Sequence, residues 1–518
     1  MTRFFVCVLL AAMTALGAQV SSPSPSDPAS LVTFNKDVLP ILQNNCQTCH
    51  RPGSVAPMSF LTYESTRPWA KAIKAAVISR QMPPWFADPH YGEFRNAPKL
   101  TQTEIHTLAA WADGGAREGD PQDKPADRQW ADGWRIQPDV VVSMQEPYFV
   151  AAKGTGEIRQ FMIPSPFKED TWVTSIEIRP GNPSVVHHVI VQVPEQNGVQ
   201  GILVKKADCK DCAQGVALQQ AVLVQGNGPA PPQGEVRTAV FRVDAGQLGN
   251  PNLPGGGSYS DILAKMEERR TGRGAFTTME AVYAPGSSPL DFRFTDSAKL
   301  IKGGKPIRIE VHYTPNGKET TDKTMVGFTL AKAPAQRRFV VMAPEHLVDP
   351  RKPIPAGESN WETNGVLTFD QDAELVWFMP HMHLRGKDMS FRLIYPDGRE
   401  ETVLSAKFNF NWQLGYEVKE PIKVSKGTKM VVTAHHDNSA NNPSNPAPDQ
   451  NALWGEMTSQ EIMLPWFGVI VDRDVQPNMI ATYRPPDLDG LPSTTPVTVT
   501  VDGEKVQMLQ QRIIRQVK

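Results

Sequence analysis

Histidine is scarce in this chain of 518 residues, with eleven in all, and cysteine is scarcer, with five. So few cysteines exclude a disulfide-dense scaffold. An excess of one charge is missing too: 53 basic residues stand against 55 acidic ones, for a net charge of −2. That balance excludes a nucleic-acid footprint. After the N-terminus no apolar run approaches the roughly 20 residues that span a bilayer, so no transmembrane helix is expected. Glycine and proline, at 38 and 46, are plentiful and spread along the chain, as in a protein of many short strands joined by turns. Against this background each grouped histidine or cysteine carries information.

The N-terminus reads as a targeting segment. Arg3 supplies the positive start, residues 4–16 the apolar core, and Ala15, Gly17 and Ala18 the small residues for cleavage. Residues 1–20 are therefore expected to be a signal peptide. The mature protein is then exported, periplasmic or extracellular. A length of 518 residues exceeds one core and suggests about three domains.

Residues 31–118 read as helical and as a domain of their own. Asn35 can cap a short helix, Pro68 can open a helix over 69–80, and Thr101-Gln102-Thr103-Glu104 is a capping box. Residues 119–133 are charged, poor in large apolar side chains and read as a linker. From 134 the texture becomes alternating. Ile307, Ile309, Val311 and Tyr313 interleave with Arg308, Glu310 and His312, and turns such as Pro315-Asn316-Gly317 separate such runs. The expected fold is multidomain: a small α-helical domain over 31–118, then two all-β sandwich domains over 134–334 and 335–480, with a C-terminal extension at 481–518.

Cys46-Gln47-Thr48-Cys49-His50 is the C-x-x-C-H attachment pattern of c-type haem. Two thiols add to the haem vinyls, and the adjacent histidine becomes the proximal ligand. Methionine commonly fills the other axial position. Met82, in a loop stiffened by Pro83-Pro84, is the candidate, with Met58 as the alternative. One covalent haem c is expected, and residues 31–118 resemble a small α-helical cytochrome c domain. Cys209-Lys210-Asp211-Cys212 lacks the following histidine, and a local disulfide is the simplest reading there.

His381-Met382-His383 follows the β-type run Glu374–Phe378. In an extended chain residues two apart face the same side, so the two imidazoles present themselves to one point. The plain alternative is two surface histidines ahead of the Gly386 turn. His187-His188 and His312 lie in other β-type runs. Adjacent strand residues face opposite ways, so His187 and His188 can share one metal only if the backbone departs from regularity there. His435 and His436 read as structural.

The order His-His, His-Tyr, His-x-His and then a downstream methionine resembles the copper type II, ascorbate-dependent monooxygenases. Peptidylglycine α-hydroxylating and dopamine β-monooxygenases are members. The resemblance covers roughly 134–472 and implies two jelly-roll-like sandwiches, each with one copper, facing each other across an open cleft. It implies that His187, His188 and His312 hold an electron-transfer copper, and that His381, His383 and a methionine hold an oxygen-binding copper. The family places that methionine directly after a glutamate, where this chain has Ile462. Met463 is the expected ligand and Met457 the other nearby thioether.

The expectation is an exported haem and copper oxidoreductase that hydroxylates a C–H bond with O2. Its partners would be a small-molecule or peptide substrate, O2, and a reductant or electron-donor protein. The alternatives are a haem and copper electron-transfer protein without oxygenase activity, and a copper-binding or sensor protein.

Overall fold

The computed structural model describes residues 32–98, 100–129, 133–154, 156–194, 276–344, 347–348, 352–455 and 458–483. It also gives the backbone of short strands at 205–206, 219–222, 238–241, 497–501, 504–509 and 512–516. The signal segment, the Cys209/Cys212 pair and Met457 lie outside the described residues.

The N-terminal segment holds helices α1 (Leu39–Asn45), α2 (Ala70–Ile78) and α3 (Gln102–Asp113). The capping box at the start of α3 forms: the Glu104 amide donates to Thr101 Oγ1 at 3.2 Å and the Thr101 amide to Glu104 Oε2 at 2.7 Å. Asn35 does not cap α1. It is buried, and its side chain donates to Asp120 O at 3.2 Å. Leu39, Leu42, Ile73, Val77, Leu108 and Trp111 form the small core between the helices.

Most of the chain is β. The strands used below are β1 (Val140–Ser143), β2 (Glu157–Ile163), β3 (Thr171–Arg179), β4 (Val186–Gln192), β5 (Phe276–Met279), β6 (Ala281–Tyr283), β7 (Ile307–Tyr313) and β8 (Met325–Leu330). They continue with β9 (Arg337–Pro344), β10 (Trp361–Phe369), β11 (Ala373–His381), β12 (Gly386–Ile394), β13 (Glu400–Lys407), β14 (Tyr416–Val424), β15 (Lys429–His436) and β16 (Leu464–Asp472). One sheet contains β1-β8-β3, a second runs β6-β4-β7-β2, a third β14-β11-β16-β9-β5, and a fourth contains β13-β12-β15-β10.

The third sheet is buried on both faces. Val341, Trp377, Met379, Trp466 and Ile470 join the core beneath the first two sheets. Their strand neighbours Val340, Met342, Phe378, Phe467 and Val469 join the core under the fourth sheet. This is why β9, β11 and β16 read as continuous apolar runs rather than alternating ones.

The expectation of a helical cytochrome c domain followed by two jelly-roll-like sandwiches is corrected by this architecture. The helices are short, the longest among the described residues having 12 residues, and although the two ends of the N-terminal segment meet, with the Phe34 amide donating to Arg117 O at 2.9 Å, part of the segment leaves the helices for the β body. After α2 the chain crosses to the β body as a strap. There the Lys407 amide donates to Phe86 O at 3.0 Å, and the amides of Arg95 and Lys419 pair with Glu417 O at 2.9 Å and Glu93 O at 2.8 Å. Trp85 and Phe94 pack edge-on against Tyr416, at 5.0 and 5.6 Å between ring centres. The strap thus covers the open edges of β13 and β14, whose amides would otherwise invite another strand. Nor are the β layers two separate sandwiches. The third sheet serves both cores, and β5 pairs with β9 across residue 334. The expectation failed because local alternation reports which residues are strands but not which sheets share a core.

Candidate metal centre

His187, His188 and His312 come together on β4 and β7. His312 pairs with His188, but Tyr313 pairs with Val186, so His187 has no cross-strand partner. This is a β-bulge, with two residues opposing one. It supplies the irregularity that adjacent histidines need in order to turn toward one point. A ring nitrogen from each of the three lies within 4.8 Å of the others. His187 Nδ1 is 3.1 Å from His188 Nδ1, and His187 Nε2 is buried without a hydrogen-bond partner. Such a buried, unpartnered nitrogen is unfavourable unless something else occupies it.

His381 ends β11, opposite Leu464. His383 follows in the turn, and the two rings are 5.5 Å apart between centres. His381 Nδ1 contacts Gln413 Oε1 at 2.7 Å, and His383 Nδ1 contacts Gln460 O at 3.3 Å. Both contacts leave Nε2 as the donor for a metal, an outer arrangement that fixes ring orientation in metal sites.

The two groups adjoin. The His188 and His381 ring centres are 5.6 Å apart. The open cleft implied by the resemblance is not seen in this structure, where five imidazoles form one buried cluster. His187, the most exposed of them, is 9% exposed. Phe410 stacks on His187 at 4.3 Å, and the Thr458 hydroxyl meets His312 Nε2 at 3.2 Å.

Burial pushes all five imidazoles toward the neutral form, the form that ligates metal. His187 is lowered to about 4 and His312 to about 3, in both cases chiefly by burial and further by a charge on neighbouring histidines. His188 and His383 fall well below the usual value and His381 falls as well, again mainly through burial. Three or more neutral imidazoles suit copper or zinc.

Met463 stands apart from this arrangement. Its side chain lies in the core under the fourth sheet, where the Thr363 hydroxyl donates to its sulfur at 3.3 Å. Leu464, the partner of His381, packs instead on the other core. The alternation of the strand carries Met463 away from the face that His381 uses. Thr363 also meets His436 Nε2 at 3.1 Å, so Met463 belongs to a polar contact within the core.

Cys46 and Cys49 are partly buried free thiols in the turn after α1, not joined to each other. Burial pushes the Cys46 thiol up to about 12. His50 stacks on Phe60 at 4.2 Å and is lowered by burial, while the Met58 backbone pulls it the other way. Met82 is tied by its amide to Ala76 O at 3.2 Å at the end of α2. Burial raises the hydroxyl of Tyr283 on β6, and Cys49 adds to that only when ionised. Tyr283 pairs with Val189, the neighbour of His188.

Glu461 and Gln413 were not singled out from the sequence. Glu461 is 0% exposed and accepts the amides of His383, Arg385 and Ile462 at 2.5, 2.8 and 3.1 Å. Burial pushes its carboxyl up to about 7 against those amides and Arg385, which pull it down. A Glu three residues before a strand carries no sequence signal of this kind; the downstream pattern located Glu461 but not its task.

No family model matches the chain, and no curated protein does. Among solved structures, one titled "Structure of PNGF-II in C2 space group" is similar at 12% identity over 65% of each chain, with a TM-score of 0.23. A likeness at that score carries no argument about fold or function. No helix among the described residues is long and apolar enough to cross a membrane.

Proposed function

We propose that this protein is a copper-dependent oxidoreductase that hydroxylates a C–H bond with O2 and carries a covalent haem as its electron donor. The observation that supports the copper reading is the cluster of five buried, neutral imidazoles drawn from three strands and a turn. Copper held there would cycle between its two oxidation states and supply the activation of O2. The residues of the chain do the rest. His187, His188 and His312 would hold one ion, and His381 and His383 a second. Gln413 and the Gln460 carbonyl orient the latter two rings, at 2.7 and 3.3 Å. Phe410 and the buried walls exclude bulk water.

The thiols of Cys46 and Cys49 would bond haem, and His50 would ligate its iron, with Met82 or Met58 as the second ligand. The haem would supply single electrons. A leader ahead of the described residues and an exported, periplasmic or extracellular location fit haem attachment. The substrate would be a small molecule or peptide.

A second reading, an electron-transfer protein without oxygenase activity, draws on Met463, whose thioether lies in the other core. Oxygen uptake by the copper-loaded protein with reductant and a panel of C–H substrates separates the two. Substrate-dependent uptake with one oxygen atom in the product supports the first. Reducible haem and copper without uptake would overturn it in favour of the second.

A further inference from the structure

We infer that Glu461 is a positioning residue whose buried carboxylate replaces a missing stretch of β ladder and fixes the His381/His383 turn for metal. The β11–β16 ladder ends at the pair His381 and Leu464. Beyond it, the amides of His383 and Arg385 would be left without strand partners in a buried place, which is unfavourable. Glu461 takes both: Oε1 accepts the His383 amide at 2.5 Å, and Oε2 the Arg385 amide at 2.8 Å. Oε1 also accepts the Ile462 amide at 3.1 Å.

The glutamate is itself held. Its amide donates to Leu453 O at 2.8 Å, and its carbonyl accepts the Gly455 amide at 2.9 Å. Arg385, 2% exposed, donates from its guanidinium to Ser459 O at 2.9 Å, on the loop that carries Glu461, and to Asn438 Oδ1 at 2.7 Å, just after β15. A carboxylate suits the task because both its oxygens accept. The isosteric amide has one acceptor, and its NH2 would face a backbone N–H.

This inference rests on the reading of His381 and His383 as ligands, but its first test does not. In the metal-free wild type, the His383 and Arg385 amides should resist hydrogen exchange as strongly as the β16 ladder, although they lie outside it. In Glu461→Gln their exchange should accelerate at least about tenfold relative to β16. If Glu461→Gln does not fold, Glu461→Asp, which withdraws both oxygens by one methylene, is read in the same way. Unprotected amides in the wild type, or unchanged exchange in the variant, would overturn the clamp.

The second test is Cu(I) titration against a chromophoric competitor, with the Cu(II) spin-resonance spectrum of each site. Glu461→Gln should weaken the ion at His381/His383 about 10–100-fold and alter its signal, leaving the ion at His187/His188/His312 unchanged. Equal loss at both sites would reduce Glu461 to a general stabiliser and overturn its positioning role. A wild type that binds no copper would overturn the functional reading, while the exchange result would still decide the clamp.

Discussion

The two histidine groups are built by different means. His188 and His312 sit inside a ladder, opposite each other on β4 and β7, and a single bulge brings in His187. Their positions are set by backbone pairing on both sides of β7, which bonds to β2 as well as β4. His381 and His383 sit where a ladder stops, and side chains finish the work of the backbone: Glu461, Arg385 and Gln413. The first group needs only strand residues that the sheet would hold in any case. The second depends on a few buried polar contacts, each of which a single substitution removes. A rigid group beside one that is more easily adjusted suits a pair of sites in which one relays electrons and the other meets substrate.

The largest effect that separates the groups is loss of metal. His312→Ala should leave one copper per chain, at His381/His383. His381→Ala should leave the other, as metal analysis of the purified proteins would show. Loss of both ions from either variant would mean that the 5.6 Å approach of His188 and His381 makes one centre rather than two.

Next comes stability. Arg385→Met removes the guanidinium that donates to Asn438 Oδ1 and Ser459 O and should cost about 2–4 kcal/mol in chemical denaturation, because two acceptors lose their charged donor. A loss below about 1 kcal/mol would place the His381/His383 turn in the same class as the ladder-held group.

A smaller, graded effect is expected from pH. His187, His312 and His436 have folded values of about 4, 3 and 3, below the usual 6.5. Above pH 6.5 they are neutral folded or unfolded and contribute no pH dependence. As pH falls below 6.5 only the unfolded chain takes up their protons. The metal-free protein should therefore lose about 1.4 kcal/mol per pH unit for each such histidine until their folded values are reached. Melting curves from pH 7 to 4 measure this, and His436→Gln should flatten the slope without touching either metal group. A flat curve would mean that these imidazoles are not sealed from water.

How much of this was legible in the sequence differs between the same two groups. His187, His188 and His312 stood in alternating runs, and the need for an irregularity at the adjacent pair could be stated from strand geometry alone. Which residue bulged could not, because that depends on the register against β7. His381 and His383 were also legible as a pair. Met463 was not placed by the pattern, since a shift of one residue moves a side chain to the opposite face of the sheet. Glu461 and Gln413 act through contacts at sequence separations of 78 and 32 residues, and such partners leave no local signature. At the level of the fold, the strand runs and the capping box of α3 could be read directly. The strap from Trp85 and the double burial of the third sheet could not, because both are decided by which layers meet.

The account turns on the five imidazoles as copper ligands. Metal-free protein titrated with Cu(I) against a chromophoric competitor tests this most directly, beside a variant carrying His187→Ala, His312→Ala, His381→Ala and His383→Ala together. The account predicts two tightly held ions per wild-type chain and none in the variant, with circular dichroism showing the same strand content in both. Wild-type protein that leaves copper with the competitor, or a variant that holds as much copper as the wild type, would contradict it.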